Sequence, residues 1–311
     1  MKYFKFFILL LISALVLFGC DSPAPTQLVS NPGDQNQVKV EVIAKDTGNV
    51  YYDNGFDTTG IAQTPLKYSN IITLTGTKVT QGGITTNSGY ARVLFFDTSN
   101  PITSANGTIL GYMMRRFNTH TMNVMFDNIQ ALPVPYRIKY NYNGMSVDTL
   151  LGEQYVLTDR NVMADHGNIP GRFRFKYNSD INFKISTMNS TVDFPIPTPS
   201  EITGKVMLTG RLSKKNMTAV IQWNAGNSHN LALIIGVIPK NHNGAFPLYK
   251  LDLQDKGSLT IPPKLLNEIP LNKYDKFVFT LVRKIEFQKS VNNQNLYVLS
   301  QSIHTIILDI P

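Results

Sequence analysis

From Val38 onward the chain alternates apolar and polar positions with a period of two, the signature of half-buried strands. Val38, Val40, Val42 and Ala44 open the pattern. Strands are predicted at 71–79, 91–96, 108–117, 121–126, 172–177, 181–186 and 191–194, with turns rich in Asn, Gly and Pro between them. Tyr136, Ile138, Tyr140 and Tyr142 share one face of another strand. Asn143-Gly144 then turns the chain into a partner strand at 145–151. That tyrosine face is either core or an aromatic platform for sugar or peptide.

Prolines at 195, 197 and 199 interrupt the pattern and predict a stiff linker over 195–200. Beyond it, about seven short strands follow in 201–311. Leu231 to Ile238 is a nearly continuous apolar run, suited to a central strand buried on both faces. Pro262 to Pro270 predicts one helical turn. Phe277, Phe279, Leu281, Ile285 and Phe287 share a strand face, and a phase shift near Ser300–Ser302 predicts a bulge in the last strand. The expected fold is all-β, with two tandem β-sandwich domains at 38–194 and 201–311. The C-terminal one is immunoglobulin-like by strand count and spacing, with Trp223 in its core.

The first twenty residues differ from everything after them. Lys2 and Lys5 precede an apolar run from Phe6 to Phe18, too short for a membrane span of about 20 residues. The run ends at Gly19-Cys20, as a secretory signal does. Leu17-Phe18-Gly19-Cys20 resembles the lipobox of bacterial lipoproteins, and only Phe18 departs from that pattern. The resemblance implies removal of 1–19, diacylglyceryl transfer to the Cys20 thiol and acylation of the new amine. It also implies a place in the bacterial cell envelope, periplasmic or on the surface, with the membrane as a partner. Cys20 is the only cysteine, so no disulfide framework competes for its thiol. Residues 20–37 are rich in Pro, Gly and small polar residues and are expected to form a flexible tether.

Composition adds two constraints. Apolar residues make up 42% of the 311, enough for sizeable cores without disulfides. The net charge of +8 is spread thinly along the chain, with no Lys/Arg block of the kind that marks nucleic-acid binding.

Candidate chemistry is sparse. The loop at 158–171 holds Asp159, Asp165 and His166, and is either a binding loop or a plain connection. Asp46 to Gly60 carries acids and amides in either ordinary turn chemistry or a calcium-binding loop. No phosphate-binding glycine loop, HExxH or GxSxG occurs. No other cofactor is implied. The chain is therefore expected to be a non-enzymatic, lipid-anchored envelope protein with a protein or glycan partner. Two alternatives stand beside it: a subunit of a fimbria-like surface assembly, and a carbohydrate-binding lipoprotein using Tyr51, Tyr52 or Tyr142.

Overall fold

The computed structural model describes residues 39–42, 50–52, 69–103, 109–115, 122–142, 145–159, 162–164, 167–169, 171–187, 190–211, 214–226, 231–241, 244–267, 269–270, 273–291 and 294–311. They are nearly all β, arranged in several sheets. The N-terminal half contains β1 (Lys39–Val42), β2 (Val50–Tyr52), β3 (Asn70–Gln81), β4 (Ile84–Thr103), β5 (Ile109–Met114), β6 (Asn123–Phe126) and β7 (Ile129–Gln130). It continues with β8 (Leu132–Tyr142), β9 (Met145–Thr158), β10 (Val162–Ala164), β11 (Gly167–Ile169), β12 (Asp180–Ser186) and β13 (Thr191–Pro197). The C-terminal half contains β14 (Gly204–Thr209), β15 (Thr218–Trp223), β16 (Leu231–Pro239), β17 (Phe246–Leu253), β18 (Ser258–Ile261), helix α1 (Pro263–Asn267), β19 (Tyr274–Val291) and β20 (Gln294–Asp309).

One large sheet runs through both halves in the order β1-β17-β16-β19-β20-β3-β4-β9-β8-β2, with β5 paired to β4. Its axis is the β19–β20 hairpin, whose register is unbroken from Lys276↔Asp309 to Val291↔Gln294. β20 then pairs in parallel with β3 from Leu296↔Asn70 to Ile307↔Gln81. Paired residues of these two strands are thus 226 positions apart in sequence.

Two smaller sheets cover the inner face of this large one. The sheet β13-β12-β6-β7 lies over the N-terminal half and closes a core with Leu74, Val93, Phe126, Phe183 and Val298. The sheet β14-β15-β18, with α1, lies over the C-terminal half and closes a core with Ile221, Trp223, Leu233, Phe277 and Phe279. A smaller cluster on the outer face joins Phe96, Met114, Tyr136 and Leu151. Phe96 and Tyr136 meet edge to face at 6.4 Å, so this member of the tyrosine face is core.

Three local predictions resolve differently. Pro195 and Pro197 belong to β13, opposite Asn182 and Asp180. β13 is an edge strand, where a missing N–H costs no ladder bond. The chain leaves it held by Thr198, whose hydroxyl accepts from the Ser179 N–H at 3.0 Å and donates to the Ser179 carbonyl at 2.8 Å. Residues 172–177 form no strand. They lie across the glycine pair Gly76↔Gly89 of β3 and β4, where a Cβ on Gly76 would stand 2.5 Å from the Phe175 ring. β20 has no bulge at Ser300–Ser302. The alternation falters there because Ser300, Ser302 and His304 keep the inner face while that face turns from apolar to polar between the two cores.

Candidate functional site

The polar seam between the two cores is where the ionisable side chains gather. Following β19 along its inner face gives Phe277, Phe279, Leu281, then Arg283, then Ile285 and Phe287. Arg283 is 1% exposed. Its Nη2 donates to Asp255 Oδ2 at 2.9 Å and to the Asn224 carbonyl at 2.7 Å; its Nη1 donates to the Ser200 hydroxyl at 3.0 Å and to the Glu201 carbonyl at 3.1 Å. The Asp255 side chain is also buried and accepts from the Trp223 indole N–H at 2.7 Å and the Gly226 amide at 3.0 Å. A desolvated guanidinium is tolerated only when paired and hydrogen-bonded like this. Arg283 therefore ties the passage between the halves (200–201) to the loops after β15 and β17.

On the other side of the passage, β20 presents Ser302 and His304. Ser302 Oγ accepts from the Ile202 amide at 2.9 Å, and His304 Nδ1 accepts from the Gly204 amide at 2.8 Å. An accepting Nδ1 requires a neutral ring with its proton on Nε2. That proton is donated to Thr80 Oγ1 at 2.9 Å. Burial pushes the His304 pKa down to about 4, helped by the Lys78 charge and opposed by Glu201. Lys78 and Glu201 pair at 2.8 Å.

This geometry predicts an acid-labile seam. The folded pKa lies below the ordinary value of about 6.5, so unfolding takes up a proton. The contribution is fully present above about pH 6.5 and is lost as pH falls toward 4, to a limit of about 3 kcal/mol. Urea midpoints at pH 7 and pH 4.5 check it. The wild type loses more stability over that interval than His304→Gln, and equal losses contradict the assignment.

Asp159 lies at the margin of the seam. It follows β9, and its amide donates to the Gly89 carbonyl at 3.0 Å. The nearby Tyr177 phenol is pushed up to about 12, first by burial and then by the Glu201 and Asp159 carboxylates. The side chains of the other expected site residues lie outside the described ones. Asp165 and His166 lie outside the described residues, between β10 and β11, which pair as a small hairpin within the stretch expected to be irregular. Tyr142 is described as backbone only, paired with Met145. Cys20 also lies outside the described residues, as do 46–49 and 53–60 of the candidate calcium-binding stretch.

The described guanidinium, Asp255 and Glu201 carboxylates and imidazole of the seam are engaged with backbone groups, side-chain hydroxyls, Lys78, the Trp223 indole or each other. Among the described residues no three His, Cys, Asp or Glu side chains are grouped to hold a metal ion. The signal for the seam was present in the sequence as a charged residue on the apolar face of β19. The period-two pattern passes over position 283 and gives no partner for it.

Two surface features bear on binding. No described aromatic side chain is exposed; the large exposed apolar residues are Ile84, Leu150 and Met207. β14 is an edge strand with Lys205, Met207 and Thr209 exposed, and none of the described strands pairs with its outer side. Among the described residues no helix is long and apolar enough to cross a membrane. No known protein family and no curated protein matches this chain.

Proposed function

We propose that this is a lipid-anchored protein of the bacterial cell envelope, held by acyl chains on Cys20, with a non-enzymatic binding or interaction role. The observation that carries the reading is Leu17-Phe18-Gly19-Cys20 at the end of a short apolar leader, with Cys20 the only cysteine of the chain. Anchoring follows from acyl burial at roughly 0.8 kcal/mol per CH₂, so two or three chains hold the protein stably on a bilayer. The C-terminal half is proposed to be immunoglobulin-like. Its seven strands divide three and four between the sheets β14-β15-β18 and β17-β16-β19-β20, and Trp223 is in the core between them. Nucleic acid is not a proposed partner.

A second reading, subunit of a surface assembly, is favoured by the open edge of β14, six residues long and able to accept a partner strand.

Metabolic labelling with a clickable fatty acid, wild type beside Cys20→Ser, tests the anchor, and protease shaving of intact cells tests the side of the membrane. Label that depends on Cys20 is the expected result. Label-free wild-type protein sinks the reading. Self-association of the purified mature protein that is lost in Met207→Pro supports the assembly reading; a monomer at all concentrations removes it.

A further inference from the structure

The cations that are scattered in the sequence converge in the fold. At the end of the C-terminal half away from the seam, three loops meet: the β14–β15 turn, the β16–β17 turn and the segment from β18 through α1 to β19. They carry Arg211, Lys214, Lys215, Lys240, Lys264 and Lys273, all exposed, and none has an ion-pair partner among the described residues. The loops are laced together. The Lys240 amide donates to the Lys273 carbonyl at 3.2 Å, and Asn267 Nδ2 donates to the Lys215 carbonyl at 2.8 Å. The described acids at this end are Asp275 and Asp309, and Asp309 is already paired with Lys276 at 3.5 Å. Among the described residues this end therefore carries an excess of positive charge.

The same end carries an exposed apolar tip. β3 runs parallel to β20 up to Gln81↔Ile307, so the Gly82-Gly83 turn of the β3–β4 hairpin comes out level with the last residues of β20. Both glycines have positive φ, +57° and +80°, as a tight two-residue hairpin requires. The turn delivers Ile84, 71% exposed. Ile84 stands about three inter-strand spacings, roughly 14 Å, from the start of β19. Six cations and a protruding isoleucine on one end suit a surface that is anionic outside and apolar beneath.

We propose that this basic end docks on the anionic headgroups of a membrane, with Ile84 entering the interface. The choice of lipid over a soluble polyanion rests on Ile84, which a polyanion has no use for, and on the preponderance of lysine. Lysine is a point charge suited to a diffuse anionic surface, whereas planar, bidentate phosphate recognition favours arginine. The docking rests on the proposed lipid anchor only for which membrane is reached. A flexible chain as long as the 18 residues between Cys20 and Lys39 has a root-mean-square reach of about 23 Å. Lys39 pairs with Asp252, about six residues or roughly 20 Å up β17 from its start at Phe246, so the anchor and the basic end can share one bilayer.

The test uses the mature chain with the leader removed and Cys20→Ser, so that no acyl chain contributes. It is sedimented with vesicles of phosphatidylcholine alone and of phosphatidylcholine with 30% phosphatidylglycerol. Binding to the anionic vesicles only, lost in 0.5 M salt, is the expected result. Lys214→Glu/Lys215→Glu/Lys240→Glu/Lys273→Glu lowers the partition coefficient by roughly 100-fold or more, at roughly fivefold per cation. Ile84→Ser lowers it by roughly fivefold. The substituted positions are exposed, and unchanged thermal melts verify that the variants fold. Equal sedimentation with both vesicle types overturns the proposal. Binding to heparin with no response to Ile84→Ser also overturns it, in favour of a soluble polyanion. Failure here beside Cys20-dependent fatty-acid label leaves the anchor standing, and vesicle binding without such label removes only the anchor.

Discussion

Arg283→Met destabilises the protein by about 3–5 kcal/mol, the cost of leaving a buried charge without its partner. The methionine fills much of the arginine's volume, so the loss is electrostatic rather than a cavity. The Asp255 side chain, 3% exposed, would be left with two neutral donors, the Trp223 indole and the Gly226 amide. The Asn224 and Glu201 carbonyls would lose their guanidinium donors as well. Asp255→Ala costs a similar amount, because it leaves the guanidinium unpaired. The double variant costs clearly less than the sum, since neither charge then remains. Urea unfolding of the four proteins measures this. Additive single effects would mean that the two charges do not act as a pair.

Phe279→Ala is the second large effect, about 3–5 kcal/mol for a fully buried phenylalanine. Its reach is more informative than its size. Phe279 belongs to the C-terminal core, on a β19–β20 hairpin that also supplies Val298 and Leu296 to the N-terminal core. If that hairpin transmits stability, protection of amides in β12, around Phe183, falls by the same amount as protection in β16. Native-state hydrogen exchange reads both. Loss confined to the C-terminal half, with β12 unchanged, would mean that the halves unfold independently in spite of the shared sheet.

The strands were legible because burial on one face writes itself into alternation. Leu231 to Ile238 is the clearest case. The run is apolar at every position but Gly236, and β16 is an interior strand with Leu233 and Ile235 on one face and Ala232 and Ile234 on the other. The helical turn at Pro262–Pro270 was legible from its prolines and appears as α1. What stayed hidden depends on residues far apart in the chain. Nothing local pairs β20 with β3, and nothing local says that Arg283 meets Asp255. The prolines at 195 and 197 carry one local signal, a missing N–H, that suits a linker and an edge strand equally. The serines at 300 and 302 mimic a bulge because a polar seam and a phase shift disturb alternation in the same way. The basic end was hidden for a related reason. Its cations come from separate loops, so a count along the chain reports a thin spread where the fold makes a cluster.

The candidate site divides similarly. Asp159 was legible as a loop acid beside a strand end, and it takes part in the electrostatics of Tyr177. His304 was not, because its role depends on two backbone and hydroxyl partners from other strands.

The most direct test of the central claim is the mass of the N-terminal peptide from protein extracted with detergent from native membranes. The account predicts a peptide that begins at Cys20 and carries a diacylglyceryl group, with or without an additional amide-linked acyl chain. A peptide that retains residues 1–19, or one that begins elsewhere with an unmodified Cys20, would contradict it.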